Sequence, residues 1–150
     1  MNDPLPVLYV LMRTDMRSQG VGRACAQSNH ASSAFVKYMH YDMLETDKGL
    51  ECESLYNKWA EETPQGFGTT IVLSVDEATM RQYVEDAISA GYHAGIVNDP
   101  EYFIKDGDAV HLLSVDTCAW IFDPAKGEGV LRYITDDLEL LSEKHFVWEG

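Results

Sequence analysis

Short apolar runs alternate along the chain with segments of helical periodicity, and this alternation restricts the choice of fold more than any other feature. Apolar or β-branched runs predict four strands, at residues 6–13, 67–75, 93–99 and 109–115. Two helical segments lie between the first two runs and one lies between the next two. Only residues 100–108 join the last two runs, which is too short for a crossover helix, so that pair should be antiparallel.

This order of elements is typical of an α/β fold. We expect a three-layer sandwich with a central mixed four-stranded sheet flanked by helices. The length of 150 residues suits one domain, and no linker composition interrupts the chain. Residues 1–150 are therefore predicted to form a single domain.

The first two helices are predicted from residue spacing. The first should begin near Gly22 or Arg23 and run to about Met43, and the second should cover residues 51–62. Four apolar residues at helical spacing should form the buried stripe of the first helix: Ala24, Ala31, Phe35 and Met39.

The remaining chain is less uniform in pattern. A third helix follows a capping signal at residues 74–77 and should stop at Gly91. Residues 117–122 fit either a further strand or the start of a helix. Residues 130–146 begin as strand or helix and should end helical, and the role of the tail from about 117 onward is left open.

Charge is distributed unevenly along a strongly acidic chain. The net charge is −14, but residues 1–40 carry four basic and two acidic residues, a sum of +2. The remaining residues carry seven basic and 23 acidic residues, a sum of −16. An acidic surface keeps a protein soluble. The cationic N-terminal part could nevertheless form an edge of the protein that faces an anion.

The apolar runs and the cysteines also indicate the cellular compartment. No apolar run approaches the roughly 20 residues that span a bilayer, and the first apolar run lacks the basic segment of a signal peptide. The three cysteines form no C-x-x-C pair: Cys25, Cys52 and Cys118. We expect reduced thiols in a cytoplasmic protein without a membrane partner. The oligomeric state stays open, with a homodimer among the alternatives.

A set of polar residues shares one face of the first predicted helix. Arg23, Gln27 and His30 follow the three- and four-residue spacing that places side chains together. Gly20 and Gly22 precede them and allow close backbone approach or unusual dihedral angles. With the partial positive charge of a helix N-terminus, this corner could bind an anion or stabilise an oxyanion. An ordinary solvated polar face is the alternative.

Familiar cofactor and metal motifs are missing from the sequence. The glycine segment lacks both the G-K-[ST] ending of a phosphate-binding loop and the G-x-G-x-x-G pattern. Cys25 and His30 are five residues apart, which places them on different helix faces. The five histidines show no metal-ligand spacing. We therefore expect neither a metal nor a cofactor.

Asp99 is the second candidate for chemistry. It ends the predicted strand at 93–99, and Pro100 should stop that strand. Ligands of α/β sheets gather outside the carboxyl ends of strands. If the first and third strands are parallel neighbours, Asp99 can approach Arg23 and form a hydrolytic set. Local turn chemistry at Asn98 and Asp99 is the alternative.

Some aromatic side chains of the sequence could stack on nucleobases. Tyr102 and Phe103 are the better candidates, because they are expected in the loop after Asp99. For Trp59 and Trp120, packing in the core is the simpler interpretation.

The stretch "LYVLMRTDM…GVGRACAQSNHASSAF" resembles the N-terminal signature of the peptidyl-tRNA hydrolase 2 family. That signature is an apolar strand ending in R-x-D-[LM], a G-K-G-K loop and A-A-Q-x-x-H-A. The matching residues are Arg13, Asp15, Gly20, Gly22, Arg23, Ala26, Gln27, His30 and Ala31. The later order of strand, helix, strand and Asp99 is also similar, so that the resemblance covers about residues 7–116.

The resemblance implies metal-free hydrolysis of the ester that joins a peptide to the tRNA 3′ end, with that 3′ end as the partner. It implies catalytic roles for three residues: Arg23, His30 and Asp99. It implies substrate-binding roles for the matching Gly20, Gly22 and Gln27. Asn29, in the same polar stretch, and the aromatic Tyr102 after Asp99 are further predicted substrate contacts. Since the family has lysine where this chain has Arg23, lysine would be expected to serve there too.

The chain departs from the family pattern after Asp99. The family reads D-A-G-x-T, whereas Pro100, Glu101, Tyr102 and Phe103 follow here. An alternative function is therefore a catalytically inactive binding module on the same fold, which acts through its acidic surface on a protein partner. An enzyme requires Asp99 and Arg23 to lie close together in a cleft, whereas a binding module does not.

Overall fold

The computed structural model describes residues 3–147. Its strands and helices follow in chain order: β1 Val7–Arg13, α1 Val21–Lys37, α2 Gly49–Ala60, β2 Thr69–Val75, α3 Glu77–Ser89, β3 His93–Asp106, β4 Ala109–Asp123 and α4 Ile134–Asp137. A π-helical turn at Tyr38–Asp42 extends α1. Short 3₁₀ turns occupy Gly129–Leu131 and Glu143–Phe146.

The strands form one four-stranded sheet in the order β2-β1-β4-β3. β1 and β2 are parallel, whereas β4 is antiparallel to both β1 and β3. The sheet is therefore mixed, as the short connection between the last two strands predicted. Helices flank it, and the expected α/β sandwich is confirmed.

β1 is the centre of the core and is buried on both faces, as its continuous apolar run indicated. On one face Leu8, Val10 and Met12 pack in a cluster with side chains of α1 and α2. On the other face Val7, Tyr9 and Leu11 pack in a cluster with side chains of α3 and of the tail. Each such large side chain contributes about 1.5–3 kcal/mol to folding through its burial.

The predicted helices agree with the structure closely. α1 begins at Val21, one residue before the expected start, and the whole expected stripe is buried: Ala24, Ala31, Phe35 and Met39. The carboxylate of Asp76 caps α3 by accepting a hydrogen bond of 2.7 Å from the backbone N–H of Thr79. Gly91, with φ of +90°, follows the end of that helix. Within residues 3–147, no helix is long and apolar enough to cross a membrane.

The expected end of the third strand at Asp99 is wrong. β3 continues through Pro100 to Asp106, with register shifts between Val97 and Asn98 and between Asp99 and Tyr102. β3 is an edge strand, and proline is tolerated at edges and bulges because no partner there needs its N–H. Tyr102 and Phe103 accordingly lie in a strand, not in a loop.

Two further points differ from the sequence-based expectation. Residues 109–115 and 117–122 belong to one strand, β4, which resolves the choice between strand and helix for the second segment. After β4, residues 124–147 form short helical turns and one isolated antiparallel bridge, between Leu140 and Leu73 of β2.

β1 and β3 are not neighbours, because β4 lies between them. Each of the two is antiparallel to β4, so they run in the same direction. The carboxyl end of β1 and the middle of β3, where Asp99 lies, therefore point to the same end of the sheet. Asp99 can reach the start of α1 without direct pairing of the two strands.

A buried histidine joins β3 to the helical layer. The Nδ1 of His93 lies 3.0 Å from the Tyr38 hydroxyl oxygen, and its Nε2 lies 3.5 Å from the Sγ of Cys52. The residue is only 9% exposed. Burial lowers the pKa of His93, and the nearby Glu51 carboxylate opposes part of that shift.

The unfolding free energy should therefore fall on mild acidification. Because the pKa of His93 is lower in the folded state than in the unfolded chain, the unfolded chain takes up the proton first. The loss should appear as the pH drops below about 6.5, the pKa of a free histidine. Urea denaturation between about pH 7.5 and pH 5.5 measures it. The unfolding free energy of His93→Gln should depend less on pH than that of the wild type. The exposed control His111→Gln should keep the pH dependence of the wild type.

Candidate active site

Asp99 and Gln27 form the centre of the site. The side-chain Nε2 of Gln27 donates a hydrogen bond of 2.8 Å to Oδ2 of Asp99. The Oε1 of Gln27 accepts a hydrogen bond of 2.6 Å from the hydroxyl of Thr117. Gln27 is 4% exposed, so this amide works in a buried setting where its partners fix its orientation. The result is an Asp99 carboxylate held at a defined angle beside α1.

The irregular register of β3 places Asp99 there. The second carboxylate oxygen, Oδ1, accepts a hydrogen bond of 3.0 Å from the backbone N–H of Glu101. This is the local turn chemistry that the sequence offered as the alternative. One oxygen therefore stabilises the bulge around Pro100 while the other faces Gln27. The two interpretations of Asp99 are compatible, since a bulge can re-aim a side chain toward a site.

Arg23 lies one helical turn before Gln27 and contacts aromatic rings. Its Cζ is 4.5 Å from the centroid of the Phe103 ring and 5.0 Å from that of Tyr102. Its Nη1 is buried and has no hydrogen-bond partner among residues 3–147. Across the same residues, no carboxylate forms an ion pair with Arg23. The guanidinium therefore keeps its charge uncompensated by a direct partner.

The two glycines at the start of α1 leave open space around the backbone. A Cβ added at Gly20 or Gly22 would meet no atom within 4 Å, and neither residue has a positive φ. The expected unusual dihedral angles are thus not found. Gly20 is the N-cap of α1 and supplies no side-chain cap, so the first-turn N–H groups lack that partner. Such an open helix start is a place where anions bind.

The remaining predicted residues lie at different depths. His30 is exposed on the Arg23 side of α1, and it makes no hydrogen bond to Asp99 in the described part of the chain. Asn29 is also exposed, but it points to another side of the helix, because each residue turns about 100°. Tyr102 is 3% exposed, and its hydroxyl lies 2.9 Å from the Oγ of Ser18.

The loop before α1 is fixed by Arg13, which was part of the sequence signature. Its Nε and Nη2 donate to the two carboxylate oxygens of Asp15 at 2.9 and 3.1 Å. Its Nη1 donates to Glu77 at 2.8 Å and to the backbone oxygen of Asp116 at 3.1 Å. Although burial acts in the opposite direction, Arg13 and the backbone N–H of Glu77 hold the pKa of Asp15 below its usual value.

Two residues that sequence reasoning missed complete the support. Gln19 is fully buried and donates from Nε2 to the backbone oxygens of Arg13 and Thr117, at 2.7 and 3.4 Å. Thr117 in turn orients Gln27. The contacts of Thr117 with Gln19 and with Gln27 join segments that are 98 and 90 residues apart, and no local pattern could have indicated them.

The family of the chain follows from a comparison of the whole sequence. The family model described as Peptidyl-tRNA hydrolase PTH2 matches residues 6–141. The chain belongs to this family. The match extends beyond residues 7–116, on which the resemblance rested, into the tail. No curated protein sequence matches the chain significantly.

Membership of the PTH2 family suggests peptidyl-tRNA hydrolase activity, with peptidyl-tRNA as substrate. The elements on which the family signature falls, β1, the loop after it and α1, are those that carry Arg13, Arg23 and Gln27. Within residues 3–147, no three His, Cys, Asp or Glu side chains are grouped so that they could hold a metal ion.

A charge at Gln27 should disrupt the site. Gln27→Glu replaces the donor to Asp99 with a second carboxylate, and two carboxylates sharing a buried site repel each other. We expect the unfolding free energy to fall by about 1–3 kcal/mol, and by more at pH 8 than at pH 5. Urea denaturation at both pH values measures the difference.

The chain offers a matched control for this substitution. Gln82 donates a similar hydrogen bond of 2.8 Å to Asp86, but on the exposed surface of α3. Gln82→Glu should cost at most about 0.5 kcal/mol, the scale of an exposed helix pair. Equal costs for the two substitutions would contradict a special, buried role for Gln27.

Proposed function

We propose that the protein hydrolyses the ester bond of peptidyl-tRNA, or of a related acyl-tRNA, without a metal ion. The observation that carries the proposal is the guanidinium of Arg23, which forms no ion pair with any carboxylate of residues 3–147 and lies one helical turn from the Gln27–Asp99 hydrogen bond. The chain has a net charge of −14, so carboxylates outnumber cations overall. A cation that none of them neutralises is suited to an anionic substrate.

Asp99 is the proposed base. Each of its oxygens accepts one hydrogen bond within the protein and keeps further acceptor capacity for water. The carboxylate would orient a water molecule and take its proton as the oxygen attacks the ester carbonyl. Gln27 would hold the carboxylate in place during the attack. The proton would then pass to the departing ribose oxygen, which leaves as a hydroxyl.

Arg23 is the proposed electrostatic partner. The attack places a negative charge on the former carbonyl oxygen, and a cation fixed nearby stabilises that charge. The open first turn of α1 at Gly20 and Gly22 would receive the same oxyanion or the terminal phosphate. His30, exposed further along the helix, is proposed to assist the proton transfer. The proposal does not extend to Asn29, which points to another side of α1, or to Tyr102, which is only 3% exposed.

The charge of Asp99 should be essential for turnover. Asp99→Asn keeps the shape but removes the base, so the release of peptide from peptidyl-tRNA should fall by about 10²-fold or more. The protein should remain folded, and substrate binding should be retained. Asp108→Asn is the control, since it removes the same charge from an exposed position of the same hairpin. Equal turnover in wild type and Asp99→Asn would reject the assignment.

Hydrolysis should survive removal of metals. Peptide release in the presence of EDTA should equal release in untreated buffer, because the proposed step uses only protein side chains and water. Complete loss with EDTA, restored by zinc, would rule out this mechanism.

Binding measurements distinguish the enzyme from the alternative, an inactive binding module. Binding of peptidyl-tRNA at Arg23 should weaken with rising salt, with a shallow slope, since few phosphates are contacted. No measurable tRNA affinity, together with tight and salt-independent binding to a protein partner, would favour the inactive module instead.

A further inference from the structure

We propose that Tyr102 and Phe103 are positioning residues that form an aromatic slot for a guanidinium, so that Arg23 and the two rings act as one unit. The proposal rests on the function proposed for Arg23 and deepens it. It concerns the segment after Asp99, where this chain departs from the D-A-G-x-T pattern of the family.

The contacts define the slot. Both rings lie within 5.0 Å of the Cζ of Arg23, as measured to their centroids. Successive residues of a regular strand point to opposite faces. The register shift ends before Tyr102, which pairs with Leu113 while Phe103 pairs with Leu112, and the guanidinium nevertheless contacts both rings. The hydroxyl of Tyr102 is tied to Ser18, in the loop that leads into α1. The slot therefore connects β3 with the start of the helix.

The chemistry of the slot favours arginine over lysine. The Nη1 of Arg23 is buried and has no hydrogen-bond acceptor among residues 3–147, and the Cζ to which it is bonded lies over both rings. A guanidinium tolerates this environment, because it is planar, weakly hydrated and stacks on aromatic faces. An ammonium is compact and strongly hydrated, so it would lose more on entering the same space. The lysine expected from the family would thus not replace Arg23 alone.

The exposure of the two rings differs. Tyr102 is 3% exposed, whereas Phe103 is 45% exposed and can be changed with less effect on the core. Val110 lies on the paired strand of the same hairpin and is 57% exposed, but as an aliphatic residue it cannot form a cation–π contact with Arg23. Phe103→Leu and Val110→Ala therefore form a matched pair of substitutions.

The first test measures peptidyl-tRNA hydrolysis. Phe103→Leu should lower kcat/KM by about 5-fold, the equivalent of a partly exposed cation–π contact. The decrease should come from a lower kcat more than from a change in KM, because a less well-positioned Arg23 would stabilise the developing negative charge less. Phe103→Tyr should restore most of the rate, and Val110→Ala should match the wild type. Arg23→Lys should be impaired like Phe103→Leu. Wild-type rates for both Phe103→Leu and Arg23→Lys would overturn the proposal.

The second test uses guanidinium as a probe. Arg23→Ala should leave the slot empty, and guanidinium chloride below denaturing concentration should restore part of its activity, whereas sodium chloride at the same ionic strength should not. The double variant Arg23→Ala with Phe103→Leu should lose this rescue. Rescue that is equal in both backgrounds, or absent from Arg23→Ala, would contradict the slot.

A readout without substrate separates the slot from the proposed function. The Nε–Hε resonance of Arg23 should show a rigid side chain in the wild type and in Val110→Ala, but a mobile one in Phe103→Leu. Equal mobility in all three proteins would overturn the slot even if hydrolysis is found. If Arg23 is rigid but the protein has no hydrolase activity, the slot is supported and its role in catalysis is rejected.

Discussion

The buried amide of Gln27 is the interaction on which the arrangement of the candidate site depends. Its oxygen is occupied by the Thr117 hydroxyl, so its nitrogen faces Asp99. These three residues come from α1, β4 and β3, which means that one side chain joins three elements of the fold. A buried amide whose partners fix both ends has one orientation. The direction of the Asp99 carboxylate is set by a contact that originates in the core.

The core explains why α1 can present Gln27 to the sheet. Ala24 and Ala31 are small, and both lie on the buried stripe on either side of Gln27. Small residues allow the helix to approach β4 closely enough for the amide to reach Thr117. Further along the helix, Phe35 packs against Trp59, Trp120 and Phe122 and anchors it. The site thus lies at the end of α1 that is nearest to the carboxyl end of β1, while the aromatic cluster fixes the other end.

Much of this arrangement follows from local patterns, and the rest depends on distant contacts. Helical spacing predicted that Arg23 and Gln27 would share a face, because that relation needs only the geometry of one helix. The continuation of β3 through Pro100 was not predictable in the same way. A proline stops a central strand but is tolerated at an edge, and edge position is a property of the whole sheet. Thr117 stands 90 residues after Gln27, so no local signal connects them. The slot around Arg23 likewise joins α1 to β3, two elements far apart in the chain, so no local pattern indicates it.

We expect the acylated 3′ end of the substrate to bind at the corner formed by Arg23, Gln27 and Asp99. An NMR titration can test this with a non-hydrolysable analogue, in which an amide joins the peptide to the 3′ ribose of an acceptor-stem RNA. The titration should give saturable shifts of the Gln27 side-chain amide and the Arg23 Nε–Hε signal, with no shift of the exposed Gln82 amide. Binding that leaves the Gln27 and Arg23 signals unchanged while it shifts residues elsewhere would show that the substrate binds at another place.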